Sequence, residues 1–323
     1  MTSAVSPAER QGTFPPSDGL LHFPASSARK LEPHLPPPPP SSSSSAPTIA
    51  TTNSNNPNKK PFVTLTFATS LDSSLSLAPG VRTTLSGPQS KAMTHFLRSR
   101  HAAILVGVGT AMADDPGLNC KILSSFSSSL EGVGNEKREQ HPNQPRPIIL
   151  DPSARWEVSE KSKVIQLARL KQGLGPFIFT AKEVGEVPKE RRAVVEGVGG
   201  KFVRVDGLTI KDEGKGEGPM SRQGFAWVDV LRTIKEEGLD SVMIEGGGSV
   251  INSLLALEQA GEEELVDSVI VTIAPTWLGA GGVLVCPPRA AGRDGQPAPP
   301  VRLRDVSWQP LGEDVVLCGK IQR

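Results

Sequence analysis

Short apolar segments alternate with amphipathic ones along most of the chain. Segments rich in β-branched and aromatic residues predict strands, and segments with apolar residues three and four positions apart predict helices. The predicted strands cover residues 62–69, 102–107, 147–151, 177–180, 201–205, 242–244 and 265–274. The predicted helices cover residues 88–100, 159–171, 189–196, 227–237 and the segment that follows Gly248.

Strands that alternate with helices favour an α/β protein with a mostly parallel sheet. Two further predicted strands, 301–308 and 314–321, lie on either side of a short turn at 310–312. This pattern is typical of an antiparallel hairpin. We therefore expect a doubly wound mixed sheet, mostly parallel, with an antiparallel hairpin at the C-terminus.

Residues 1–60 show no such pattern. They are rich in Pro, Ser, Asn and Thr, with five consecutive prolines at 36–40 and five serines at 41–45. A segment of this composition buries too little apolar surface to offset the entropy lost on ordering. We expect a disordered tail over 1–60 and one folded domain over 61–323, with loop insertions near 122–144, 206–224 and 280–300.

A glycine triplet follows the strand at 242–244. Glu245 lies at the end of the strand, Gly246, Gly247 and Gly248 come next, and Ser249 and Val250 open the following helix. Such a turn lets backbone N–H groups approach an anion, and the N-terminus of the helix adds its positive dipole end. The alternative is a glycine-rich connection without a ligand.

A second glycine turn follows the strand at 102–107. Gly107, Gly109 and Thr110 match the first part of a dinucleotide-binding fingerprint, but Met112 stands where its third glycine would be. Adjacent carboxylates, Asp114 and Asp115, come next before a Pro-Gly pair. These residues suit either a polar ligand site or the plain end of a helix in a surface turn.

Charge and cysteine content narrow the function classes. The formal net charge of +1 gives no reason to expect a nucleic acid or an anionic membrane as partner. The three cysteines, Cys120, Cys286 and Cys318, lack the spacing of a metal site or a disulfide framework, so we expect no metal. No apolar segment reaches membrane-spanning length. The expectation is a cytoplasmic protein.

Five stretches, taken in order, carry a family resemblance. They are VTLTFATSLD (63–72), VGVGTAMADDPGL (106–118), PIILD (147–151), MIEGGG (243–248) and DVVL (314–317). Together they resemble the reductase domain of riboflavin biosynthesis, and in particular its stand-alone fungal members. The resemblance implies a dihydrofolate-reductase-like fold, NADPH as hydride donor, a homodimer, and a phosphorylated ribosylaminopyrimidine whose ribosyl side chain is reduced.

The resemblance also implies roles for individual residues. It implies that Thr110 and Asp114 contact the nucleotide. It also implies that the cofactor phosphates are bound by Gly246, Gly247, Gly248, Ser249 and Val250. The substrate side comprises Asp72, Arg98, Leu118, Lys121 and Glu245, with Arg98 and Lys121 binding the sugar phosphate. Glu245 and Asp114 are the candidates for catalysis. Ser73 replaces the glycine that commonly follows this aspartate in the family.

Two alternatives stay open at this point. One is a reductase of the same fold that acts on a pterin such as dihydrofolate, and the other is a non-catalytic nucleotide-binding protein. The HxE and PCxxC motifs of the zinc deaminase domain found in bifunctional bacterial relatives are absent from the sequence. We therefore expect the chain to reduce and not to deaminate.

Overall fold

The computed structural model describes residues 20–37, 60–122, 143–211, 222–260, 264–289 and 300–322. Its strands are β1 (Phe62–Thr69), β2 (Ser74–Ser76), β3 (Ala103–Gly107), β4 (Arg146–Leu150), β5 (Phe177–Thr180), β6 (Lys201–Arg204), β7 (Leu208–Lys211), β8 (Arg222–Phe225), β9 (Ser241–Gly246), β10 (Ser268–Ile273), β11 (Val283–Leu284), β12 (Leu303–Leu311) and β13 (Asp314–Ile321). Its α-helices are α1 (Ala25–Leu31), α2 (Pro88–Arg100), α3 (Val108–Asp114), α4 (Lys163–Arg169), α5 (Lys189–Glu196), α6 (Trp227–Glu236) and α7 (Gly248–Ala260).

Nine of these strands form one sheet in the order β12-β13-β10-β1-β9-β3-β4-β5-β6. The strands from β10 to β6 in that order pair in parallel, whereas β13 pairs antiparallel with both β10 and β12. The predicted doubly wound mixed sheet with an antiparallel C-terminal hairpin is therefore confirmed. Its late strand β9 lies between two early strands, β1 and β3, so the chain winds in both directions from the centre of the sheet.

Helices cover both faces of the sheet. On one face, apolar residues of α6 and α7, among them Leu231 and Leu254, pack on the strands in one hydrophobic cluster. On the other face, Ile165 of α4 and Val195 of α5 belong to a second cluster, and Leu97 of α2 belongs to a third. Within the described ranges, no helix is both long and apolar enough to cross a bilayer.

The expectation of disorder over residues 1–60 is wrong for residues 20–37, which we call the N-terminal arm. The arm contains α1 and a 3₁₀ turn, Glu32–His34, and it packs against α2. Its apolar residues Phe23, Leu31 and Leu35 are buried. The composition of the whole tail conceals these few apolar side chains, whose burial stabilises the ordered arm. Residues 1–19 and 38–59 lie outside the described part of the chain.

Two of the predicted loop insertions contain strands. Within 206–224, β7 and β8 form an antiparallel hairpin, and within 280–300, β11 pairs with β2. Residues 212–221, residues 290–299 and, in the third insertion, residues 123–142 lie outside the described part of the chain. A further difference is α3, since the residues after Gly107 were expected to form a turn and instead form a helix of seven residues.

A buried histidine links α2 to β1. The Nδ1 atom of His101 lies 2.7 Å from the carbonyl oxygen of Leu97, and its Nε2 atom lies 2.7 Å from the hydroxyl of Thr64. A carbonyl only accepts, so Nδ1 carries the proton and Nε2 accepts from Thr64. Burial is the main reason why the pKa of His101 is lowered to about 4.

We predict that this histidine makes the protein less stable in acid. Below pH 6.5 the unfolded chain binds a proton that the folded imidazole binds only near pH 4, so the free energy of unfolding falls across that window. One such proton is worth at most about 1.4 kcal/mol per pH unit. Denaturant unfolding of His101→Gln should show a shallower loss between pH 6.5 and about pH 4 than the unmodified protein. Exposed His22→Gln is the control, and an equal slope in both variants would contradict the assignment.

Candidate active site

The glycine turn after β9 meets the start of α3 at the carboxyl ends of β9 and β3, which are neighbours in the sheet. The hydroxyl of Thr110, on α3, donates to the carbonyl of Gly246 over 3.1 Å. A Cβ atom added at Gly107 would lie 3.0 Å from a methyl carbon of Val250. The connections from β3 to α3 and from β9 to α7 are thus in contact at one edge of the sheet, which is where open α/β sheets bind their ligands.

The turn between β9 and α7 requires glycine. Gly246 has φ +81° and Gly247 has φ +118°, which side chains disfavour. Added Cβ atoms would lie 2.5 Å from the side chain of Ile251 and 2.6 Å from the hydroxyl of Thr110, respectively. The turn therefore brings bare backbone to the N-terminus of a helix of thirteen residues. This is the form of a cradle for a phosphate group, and it fits a dinucleotide cofactor.

The central polar contact of the site is an ion pair between α2 and β9. The Nε atom of Arg98 donates to Oε1 of Glu245 over 2.8 Å, and Nη2 donates to Oε2 over 2.7 Å. The side chains are only 15% and 20% exposed. This bidentate geometry fixes the planes of both groups relative to each other.

The same arginine also binds the segment that follows α3. Nη1 of Arg98 donates to the carbonyl of Asn119 over 3.0 Å. Burial opposes the charge of Arg98, but the attraction of Glu245 outweighs it, and the pKa of the guanidinium is raised above its usual value. Three of the five guanidinium N–H groups are used, so two remain for a ligand among the described contacts.

The remaining predicted substrate residues differ in how far their side chains are exposed to a ligand. Lys121 is exposed, whereas the side chain of Leu118 is 2% exposed and packs in the second hydrophobic cluster. A contact from Leu118 to a ligand would therefore come from its backbone, which has φ +50°. Asp114 is the half-buried last residue of α3 and is followed by Asp115 in the left-handed conformation.

Asp72 holds a loop at the same edge of the sheet. Its carboxylate accepts from the hydroxyl of Ser70 and from the N–H groups of Leu278 (3.2 Å) and Gly279 (2.7 Å). These hydrogen bonds, that of Ser70 first, lower the pKa of the Asp72 carboxyl. Ser73 keeps a positive φ of 60° although it lacks the freedom of glycine. The carboxylate of Asp72 thus binds groups of the protein itself, and it makes no hydrogen bond to the Arg98–Glu245 pair among the described contacts.

Comparison with known proteins gives the family. The profile of the RibD C-terminal domain matches residues 61–317. The 2,5-diamino-6-ribosylamino-4(3H)-pyrimidinone 5′-phosphate reductase of Candida glabrata is 38% identical over 82% of this chain and 91% of its own length. The chain belongs to the RibD C-terminal domain family.

Solved structures agree with this assignment. The Saccharomyces cerevisiae riboflavin biosynthesis reductase Rib7 has a TM-score of 0.61 and 31% identity, and the match covers 92% of this chain and all of that one. RibD of Acinetobacter baumannii has a TM-score of 0.54 at 20% identity, over 82% of this chain and 59% of that one. The second match supports the fold alone, whereas the first shows similarity in both fold and sequence.

Two residues at this candidate site were missed by the sequence analysis. The carbonyl of Asn119 is a ligand of Arg98, and the imidazole of His95 accepts from the backbone N–H of Lys121 over 3.0 Å. A backbone acceptor leaves no signal in the residue type. His95 lies three positions before Arg98 and so on the same side of α2, which is a spacing that could have been noticed.

We predict that Gly247→Ala weakens cofactor binding. The added methyl group would collide with the hydroxyl of Thr110 and move the turn away from the helix N-terminus. NADPH affinity, measured by fluorescence titration, should fall by about tenfold or more, which corresponds to about 1.4 kcal/mol. Gly238→Ala is the matched control because Gly238 also has a positive φ but has no atom within 4 Å of the added Cβ. Equal losses in both variants would show that backbone strain, and not the cradle, is responsible.

Proposed function

We propose that this protein reduces the ribosyl side chain of 2,5-diamino-6-ribosylamino-4(3H)-pyrimidinone 5′-phosphate to the ribitylamino product, an early step of riboflavin biosynthesis. NADPH is the proposed hydride donor. The observation that carries the proposal is that the Arg98–Glu245 ion pair and the glycine turn lie together at one edge of the sheet. The names of the relatives supply the substrate.

The reaction needs the sugar in its open form, in which its first carbon and the ring-attached nitrogen form an imine. NADPH, when bound, would supply the hydride for that carbon, and one proton at the nitrogen completes the amine. The residues that would hold NADPH are Thr110, Asp114 and the segment 246–250. The task of the protein is to place the imine carbon against the cofactor, since proximity and orientation supply much of the rate enhancement.

Glu245 acts in this proposal as an acceptor on the substrate side. Both of its oxygens already accept from Arg98, so it faces the substrate as a fixed negative group. A protonated imine is a cation, and a preorganised carboxylate stabilises the charge that it carries. Asp114 is the other candidate for a catalytic contact. The two free N–H groups of Arg98 and the ammonium of Lys121 are the proposed anchors for the sugar phosphate.

Turnover assays with the full chain test this function. NADPH absorbance should fall with the diaminopyrimidine ribosylamine phosphate and not with dihydrofolate, because only the former carries a phosphate for Arg98 and Lys121. Glu245→Gln should lower kcat/KM by about tenfold or more, and NADPH affinity should stay unchanged. Oxidation with dihydrofolate alone would favour the pterin reductase. Binding of NADPH without oxidation of either compound would leave a nucleotide-binding protein.

We also propose that the protein is a homodimer. One face of the C-terminal hairpin presents Trp308 (59% exposed) and Val315 (36%), and among the described elements no helix covers them. Trp308 pairs with Leu317 of β13, and alternation along β13 puts Val315 on the same side as Leu317. Val306 is also exposed (44%) but lies where the register of β12 shifts. A second copy of the chain would bury this apolar face as an isologous interface.

Charge at the centre of this face should prevent assembly. Trp308→Glu would place a carboxylate in the interface without a partner, so light scattering should show the monomer mass, whereas the unmodified chain should show twice that mass. Leu170→Glu is the control, since Leu170 is similarly exposed but lies at the end of α4. A monomeric unmodified chain, or dissociation caused by both variants, would refute this interface.

The proposed location is the cytoplasm. All three cysteines are unpaired, and Cys120 and Cys318 are buried. Free buried thiols fit a reducing compartment.

A further inference from the structure

The backbone of Lys121 is held at both of its polar groups. Its N–H donates to Nδ1 of His95 over 3.0 Å, and its carbonyl accepts from the N–H of Leu21 over 2.7 Å. The neighbours Cys120 and Ile122 are buried at 3% and 4% exposure, whereas Lys121 itself is exposed. The segment therefore fixes the base of an exposed lysine side chain, and its ammonium pairs with no carboxylate among the residues that the structure describes.

The residues just before Lys121 are held as closely. The side-chain oxygen of Gln144 accepts from the N–H of Cys120 over 2.8 Å, and its amide nitrogen donates to the carbonyl of Cys120 over 2.9 Å. The carbonyl of Asn119 accepts from Arg98. Side chains thus supply the hydrogen bonds that a neighbouring strand would otherwise give, and the segment gains rigidity without belonging to the main sheet.

His95 can fill its role only while it is neutral. A backbone N–H always donates, so Nδ1 of His95 must be the unprotonated nitrogen. Burial first, and then the charges of Arg98, Lys121 and Lys91, lower the pKa of His95 to about 3. The imidazole therefore stays an acceptor for Lys121 at neutral pH.

The N-terminal arm connects this segment to α2. Phe23 of the arm stacks on Phe96 of α2 with ring centroids 5.1 Å apart, and Glu32 pairs with Arg100. Leu21 of the arm also forms a bridge to Ile122. The arm is therefore bound to the helix that carries His95 and Arg98 and to the segment that carries Lys121. It lies outside residues 61–317, the part that the family profile matches.

We propose that His95 and the N-terminal arm are positioning elements that aim Lys121 at the phosphate of the substrate. The inference rests on the proposed function, in which Lys121 binds that phosphate. A lysine is a flexible point charge, so a fixed backbone lowers the entropy lost when its ammonium pairs with a phosphate. The arm is then a working part of the substrate site.

Substitutions at His95 test the acceptor role. His95→Asn keeps an oxygen near the place of Nδ1, whereas His95→Leu keeps bulk and removes the acceptor. The measured quantity is the ratio of kcat/KM for the phosphorylated substrate to that for the same compound without its phosphate. His95→Leu should lower this ratio about tenfold through KM, and His95→Asn should largely restore it. A merely structural histidine would change both substrates equally and leave the ratio unchanged, which would overturn the inference.

Substitutions in the arm provide a second route that avoids the helix. Leu21→Pro removes the N–H that binds the carbonyl of Lys121, and Leu21→Ala keeps it. The proline variant should lower the phosphate ratio and the alanine variant should not. The thermal midpoint and NADPH affinity of each variant report whether the rest of the fold is intact. Equal ratios in the two variants would show that the arm does not position Lys121.

A double-mutant cycle separates this inference from the proposed function. Lys121→Ala alone should lower the phosphate ratio, and His95→Leu should add little to it because its effect acts through Lys121. An unchanged ratio in Lys121→Ala would refute the phosphate site and the inference with it. A lowered ratio in Lys121→Ala together with an unchanged ratio in His95→Leu would refute the inference alone.

Discussion

The Arg98–Glu245 ion pair is the constraint on which the site depends. It joins the last turn of α2 to the end of β9, although the two residues are 147 positions apart in the sequence. Burying one such charge without its partner is costly, so the pair fixes how α2 lies across the sheet. Because Arg98 also holds the carbonyl of Asn119, the position of the segment around Lys121 follows from the same contact. The side chain of Arg98 thus fixes both the position of α2 on the sheet and the position of the segment around Lys121.

The strand order places this pair beside the glycine turn. β9 enters the sheet late in the chain and lies between β1 and β3, so its carboxyl end meets α3, the helix that follows β3. Glycine at 247 lets the backbone approach Thr110 of α3, and glycine at 246 lets it approach Ile251 of α7. A larger residue at 247 would push the turn away from α3. Glu245 therefore directly precedes the proposed cofactor cradle in the chain, and its ion pair with Arg98 lies at the start of that cradle.

The elements that follow local rules could be predicted from the sequence. The bounds expected for α2 and α5 agree with the structure because Pro88 and Pro188 mark their starts and apolar residues recur at helical spacing. The elements that were missed depend on distant partners. β2 and β11 are three and two residues long, respectively, and pair with each other across most of the chain. The arm likewise depends on distant contacts, with α2 and with Lys121 and Ile122, which no window of local sequence reveals.

The charge balance of the site explains why the surroundings of Lys121 matter. The family resemblance implied that Arg98 binds the sugar phosphate, but the structure matches its charge with Glu245, so the pair contributes little net positive field. The residue types indicated both partners, yet their direct contact could not be foreseen because it joins distant parts of the chain. Lys121 and Lys91 supply further positive charge near His95, and both lie close enough to lower its pKa. A doubly charged phosphate would need that charge, and the backbone of Lys121 is held by hydrogen bonds from two separate elements.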